Sequence, residues 1–194
     1  MGYCLNVPFV TQLGIGAHAG GGGIDDPTGC WYASASMIAF SFEAGPRLGV
    51  PSLYKPGLGS EALPGGGRQA RGGHEVISAN AIPTLKANEG LVDAVEPGNK
   101  IWTADILEKQ LRQYGPIFFG WQKTFNGHTY GHASVIIGVN SHWFSKDEVV
   151  IHDPENRPFF SLKIQDLNSK FIWGAGFTLR RAGQAYQHSI KLRT

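Results

Sequence analysis

A cysteine that follows a glycine and opens an apolar run, as Cys30 does in 25-DDPTGCWYASASMIAF-40, stands where sulfur chemistry is favoured. At a helix N-terminus a thiolate is stabilised by the helix dipole, and free backbone N–H groups lie beside it to receive a developing oxyanion. The same position suits burial, because cysteine is among the most buried residue types. The stretch alone leaves a packed thiol and a nucleophile equally open.

A nucleophilic cysteine needs a base, and the base needs a group to orient it. Of the seven histidines, His18, His74, His128, His132, His142, His152 and His188, His132 stands out. It follows Gly131 and opens HASVIIGV, the strongest strand pattern in the chain, which predicts an imidazole at a sheet end. Asp153 closes the next strand, VVIHDP, and an antiparallel meander brings the end of one strand near the start of its predecessor. A carboxylate there would accept the second ring N–H of His132 and fix its tautomer. An Asp-Pro after a strand is also an ordinary turn, and Asn140 and Asn156 are alternative orienting amides. His128 and His132 are four apart, which suits a metal pair only on a helix. The intervening TYG and the strand that follows predict none, so no metal site is expected. His152, adjacent to Asp153 on a strand, faces the other side.

Elements of two kinds must position these groups. Residues from Cys30 to the Gly45-Pro46 stop predict a buried helix of about three turns, with Tyr32, Ala35, Ala39 and Phe42 on one face. A second helix, kinked or broken at Pro83, is expected over 74–90. A third is expected over 103–115, with Thr103 as N-cap, Ile106, Leu107, Leu111 and Tyr114 as its stripe, and Gly115-Pro116 as its end. Period-two or continuous β-rich runs then predict strands at 116–122, 132–140, 147–153, 158–164 and 171–179. LNVPFVTQ reads as a short edge strand. Helices followed by an antiparallel meander of about five strands make an α+β fold. It is read as one domain over 1–194: a helical half to about 115, a sheet half over about 116–180, and a polar basic tail at 181–194.

The chain has 194 residues, a net charge of +2 and 42% hydrophobic residues, the composition of an ordinary soluble globular protein. No charge pattern points to nucleic acid, and no run approaches the roughly 20 apolar residues that span a bilayer. MGYCLNVPFVTQ lacks the basic and long apolar regions of a signal peptide. Two cysteines, Cys4 and Cys30, argue against a disulfide scaffold and suit a reducing compartment or one working thiol. Cys4 reads as a spare thiol. The 27 glycines are about twice the usual share. They concentrate at 14–23 and 57–73, which are read as loops, and residues 45–75 as a long surface excursion.

VPFVTQ, GCWYASASMIAF, LEKQLRQYGPIFFGW, YGHASVIIGVN and VVIHDP, in that order, resemble the papain-like cysteine peptidases. Within them the chain is most similar to bacterial effector proteases of plant pathogens and, next, to the bacteriocin-leader peptidases of export systems. The resemblance covers roughly residues 5–155. It implies an N-terminal helical half, a C-terminal antiparallel sheet, Cys30 as nucleophile, His132 as general base, Asp153 as orienting acid and Gln12 as the oxyanion side chain. Gln12 and Cys30 are 18 residues apart, wider than is usual in those families. Trp31 and Trp121 are candidate walls of the substrate cleft, and in so apolar a setting equally candidates for the core. No cofactor is implied. The implied partner is a protein substrate, cut in a narrow cleft that admits small side chains, as in leader peptidases that cleave after paired glycines. The implied setting is secretion without a signal peptide and action in a target cell's cytoplasm, with a cognate immunity or inhibitor protein in the producer. Two other readings stand beside this one: a peptidoglycan amidase of the same superfamily, and a binding module that has kept the fold without catalysis.

Overall fold

The computed structural model describes residues 2–13, 22–23, 29–43, 60–62, 68–70, 82–140, 147–183 and 189–190. In chain order the elements are β1 (Gly2–Leu5), β2 (Val10–Thr11), β3 (Gly22–Gly23), α1 (Cys30–Glu43), β4 (Ser60–Ala62), β5 (Arg68–Ala70), α2 (Ile82–Glu89) and β6 (Leu91–Asp93). They continue with α3 (Ala104–Tyr114), β7 (Ile117–Phe125), β8 (His128–Asn140), β9 (Glu148–His152), β10 (Phe160–Lys163), α4 (Ile164–Lys170), β11 (Thr178–Arg181) and β12 (Ser189–Ile190). The expected α+β arrangement is present, but the main sheet has eight strands rather than about five. Its order is β10-β9-β8-β7-β11-β6, with β1 also on β8 and β12 on β1. The additional strands are two to four residues long, too short for alternation to mark them in the sequence.

The sheet is organised around β8. His132 to Val139 are all buried, because α1 and α3 pack against this strand and leave no solvated side to give an alternating pattern. One edge of β8 pairs with β9 over Val135 to Asn140, and the other with β7 over His128 to Ile136. Where β7 ends, β1 takes over its edge of β8. Gly138 permits this: a Cβ there would lie 2.7 Å from the Tyr3 carbonyl oxygen and 3.0 Å from the Cys4 Cα, so only glycine lets β1 approach.

Helix α1 is the core of the N-terminal half. Cys30 to Ser41 are all buried, so the helix is enclosed all round rather than amphipathic. Two of its serines fit because Ser36 and Ser41 donate back to the Tyr32 and Met37 carbonyls at 2.8 and 2.7 Å. In α3, Thr103 Oγ1 accepts from the Ile106 N–H at 3.3 Å and the Gly115 N–H closes the C-terminus on the Leu111 carbonyl at 2.9 Å. The expected cap and stop are therefore both present.

Several expectations are corrected. The strand expected over 171–179 is regular only from Thr178, because Gly174 and Gly176 adopt positive φ and Phe171 makes a lone bridge to Trp121. Residues 164–170, read partly as strand, form α4, which buries Ile164 and Leu167 three residues apart. Helix α2 starts at Ile82, so Pro83 lies in its first turn, where its missing N–H costs nothing; the expected part before residue 82 lies outside the described residues. LNVPFVTQ is not one strand: β1 and β2 flank an irregular stretch over 6–9 that holds Pro8. Within the stretches read as glycine loops, Gly22–Gly23 pairs in parallel with β2 and Ser60–Ala62 pairs with Arg68–Ala70. In the stretch read as a solvated tail, Ser189–Ile190 pairs with β1.

Candidate active site

Cys30 is the first residue of α1. The Tyr32 and Ala33 N–H groups both return to the Gly29 carbonyl, at 3.0 and 2.9 Å, so the helix begins at the sulfur-bearing residue. No acidic side chain occupies the first turn to compete for the positive end of the dipole. Cys30 as a whole residue is 8% exposed, and so is buried.

His132 was expected at a strand end, yet β8 begins four residues earlier, at His128. The expectation mistook where the sheet ends for where the strand ends. Strand β9 pairs with β8 only from Val135 onward, so below Ser134 the sheet narrows to the β7–β8 hairpin, and Asp153, one residue past β9, turns into the space this leaves. Asp153 Oδ1 accepts the His132 Nε2 proton at 2.7 Å, with both side chains 1% exposed. Cys30 lies close enough to the same imidazole to bias its charge; with Nε2 committed to Asp153, Nδ1 is the ring nitrogen left to face it. Burial by itself would lower the imidazole pKa. Cys30 and the Asp153 carboxylate outweigh it and raise His132 to about 9. Asp153 resists its own burial through His132 and Lys123 and falls to about 2. The structure thus brings Cys30, His132 and Asp153 into one chain of contacts. Asn140 pairs instead with Gly2 and Glu148 at the far end of β8, and the Asn156 N–H closes a turn on the Asp153 carbonyl.

Gln12 is buried at the end of β2, and β2 packs on α1. Its N–H donates to the Pro154 carbonyl at 3.0 Å, and Thr11 Oγ1 donates to the same oxygen at 2.8 Å. The 18-residue separation from Cys30 is therefore bridged from the other side, through the loop that carries Asp153. His152 ties the same region together. Its Nε2 proton goes to the Val7 carbonyl at 2.9 Å, its Nδ1 accepts from the Phe159 N–H at 3.2 Å, and Phe9 and Phe159 meet the ring edge-on. Burial lowers its pKa to about 4. The folded protein therefore keeps this ring neutral while an unfolded chain takes up a proton below about pH 6.5. Stability contributed by the neutral ring should fall between about pH 6.5 and 4, by on the order of 3 kcal/mol. Urea unfolding at pH 7 and 4.5 checks this: wild type should lose more stability across that interval than His152→Gln, and equal losses would refute it.

Trp31 and Trp121 are 2% and 4% exposed. Trp31 meets Tyr32 edge-on, while Trp121 donates its indole N–H to Ser134 Oγ at 3.0 Å and lies edge-on to His132 at 5.9 Å. Both are packed side chains, and Trp121 is a wall for the imidazole. Sequence reasoning missed three further residues. Lys123 Nζ contacts Asp153 Oδ2 at 2.8 Å and Glu155 Oε2 at 2.7 Å, and the Tyr130 hydroxyl donates to that same Glu155 oxygen at 2.6 Å. The available signal was the alternation that puts Lys123 two residues from Trp121 and Tyr130 two from His132.

A cysteine sulfur at a helix start, an imidazole beside it bonded to a carboxylate, and a buried amide just past β2 are groups that suit acyl transfer through a thioester. Compared with known protein families, residues 18–171 match the model of the papain-like cysteine protease AvrRpt2 family. The match contains Cys30, His132 and Asp153 and begins after Gln12.

Proposed function

Because the chain belongs to the papain-like cysteine protease AvrRpt2 family, a bacterial effector family, and is a cysteine protease, we propose that it cleaves a host-cell protein through Cys30, His132 and Asp153. The observation that carries this reading is the 2.7 Å bond from His132 to Asp153, with Cys30, the first residue of α1, beside the same ring. In the proposed cycle the Cys30 sulfur attacks the peptide carbonyl carbon. The oxyanion is received at the start of α1, by the Cys30 N–H and the Gln12 side-chain amide. His132 then gives its proton to the leaving amine, and water, deprotonated by His132, hydrolyses the thioester. The partner is a protein substrate, and a cognate inhibitor in the producing cell is part of the proposal.

Exposing a host-cell extract to wild-type and Cys30→Ala protein and sequencing the new N-termini tests the activity and finds the substrate. Cleavage events common to both proteins, with none specific to wild type, would refute it. On a substrate found in this way, Gln12→Ala should lower kcat by about 10²- to 10³-fold with a much smaller change in KM, the cost of one oxyanion donor. An unchanged kcat would remove Gln12 from the mechanism.

A further inference from the structure

The register of the β7–β8 hairpin sets Trp121 opposite His132 and Lys123 opposite Tyr130, so these four side chains share one face. Lys123 thereby reaches the carboxylate oxygen of Asp153 that His132 does not use. We propose that Lys123 is a positioning residue for the protease site: its ammonium holds the second oxygen of Asp153, and Glu155 and Tyr130 hold the ammonium. The proposal rests on the reading of Cys30, His132 and Asp153 as a triad.

A surface lysine beside a carboxylate would carry no such role, since exposed ion pairs contribute little. This one is different in burial and connectivity. The Lys123 side chain is 14% exposed and that of Asp153 1%, and Lys123 bridges two carboxylates at 2.8 and 2.7 Å. Ligand atoms of His132, Asp153 and Glu155 lie within 4.8 Å of one another, and the lysine ammonium supplies the positive charge that two adjacent carboxylates require. The loop adds a further constraint, as the Glu155 N–H donates to Asp153 Oδ1 at 3.1 Å. Oδ1 thus receives His132 and a backbone N–H, while Oδ2 receives Lys123. Neither oxygen is left to rotate the carboxylate away from the imidazole.

Among the described residues, the groups facing Asp153 are His132 and Tyr130 from β8, Lys123 from β7, Glu155 on its own loop, and Cys30 of α1 through the imidazole. Without the ammonium, Asp153 and Glu155 would face each other as like charges and hold a shared proton at higher pH. A protonated Asp153 no longer stabilises the imidazolium.

The test is the rate of Cys30 alkylation by iodoacetamide in the full chain from pH 4 to 9, read by mass spectrometry of the Cys30 peptide. This needs no knowledge of the substrate. In Lys123→Met the acid limb of the rate should move up by about one pH unit, about tenfold slower alkylation at the foot of the wild-type limb. Lys123→Arg should stay within about twofold of wild type. The double variant Lys123→Met/Glu155→Gln, which also removes the repelling carboxylate, should recover part of the shift. A lysine that served stability alone would lower the unfolding temperature without moving the limb. Lys123→Gln replaces Lys123→Met if the latter fails to fold. A wild-type limb in a folded Lys123→Met or Lys123→Gln protein overturns the positioning role and leaves the triad intact. A wild-type Cys30 no more reactive at pH 6 than a free cysteine overturns the triad reading itself.

Discussion

Replacing Cys30 with alanine should lower kcat by about 10⁴-fold or more while leaving the protein folded. In the proposed cycle the sulfur is the atom that bonds to the acyl group, and a methyl side chain cannot form the thioester. Only binding and oxyanion stabilisation remain, and these leave residual catalysis far below the covalent route. The fold should tolerate the change: alanine fits the start of a helix, and Cys30 makes no disulfide. The loss of one buried sulfur costs on the order of 1 kcal/mol. His132→Ala should match it in kcat, since nucleophile and base act as a unit and their losses are far from additive. Turnover of a substrate identified from its new N-terminus, with thermal unfolding of each variant, checks both effects. Undiminished cleavage by Cys30→Ala would place the nucleophile elsewhere. The pH profile follows from the same groups. The His132 proton that the leaving amine would take in the proposed cycle is retained up to about pH 9 and the Asp153 carboxylate down to about pH 2. Activity should therefore fall on the alkaline side as pH rises through about 9.

Local punctuation made part of this site readable. A glycine precedes both Cys30 and His132, and a proline follows Asp153, so each stood at a visible change of pattern. The companions of Asp153 had no such mark. Lys123 lies in a strand whose flanks, Gln122 and Thr124, are exposed, and in sequence it looks like one more solvated residue. Its burial comes from the hairpin register and from the return of the 153–159 loop, neither of which is a local property. The same holds for β6, β1 and β12, whose places in the sheet depend on pairing between residues up to 186 positions apart. Continuous apolar runs such as those of β7 and β8 were legible as strands because they are long. Their offset ends were not, because polar residues in a hairpin arm carry no burial signal.

Asp153→Asn is the sharper experiment, because the substitution keeps the shape of the side chain and an amide is elsewhere a sufficient partner for an imidazole. In this protein it should lower kcat by about 10²- to 10⁴-fold. The carboxylate has two buried tasks, accepting from His132 Nε2 at 2.7 Å and from Lys123 Nζ at 2.8 Å. An asparagine has one acceptor atom and one donor, so either its NH₂ meets the Lys123 ammonium or it meets the His132 N–H. The first leaves a buried cation facing a donor. The second reverses the imidazole tautomer, so that Nδ1 carries the proton and cannot serve as base toward Cys30. Both lose the negative charge that keeps the His132 pKa up. The variant should therefore also lose cleavage at lower pH on the alkaline side, its limb falling below the wild-type value of about 9. The pair Asp153→Asn/Lys123→Met separates the two costs, since removing the ammonium lets the amide turn its oxygen to His132 and its NH₂ toward Glu155. Recovery of about tenfold or more over Asp153→Asn alone would show that Lys123 dictates a carboxylate here. If Asp153→Asn keeps wild-type kcat and alkaline limb, the side chain merely props the ring, and the charge assigned to it has no part in the reaction.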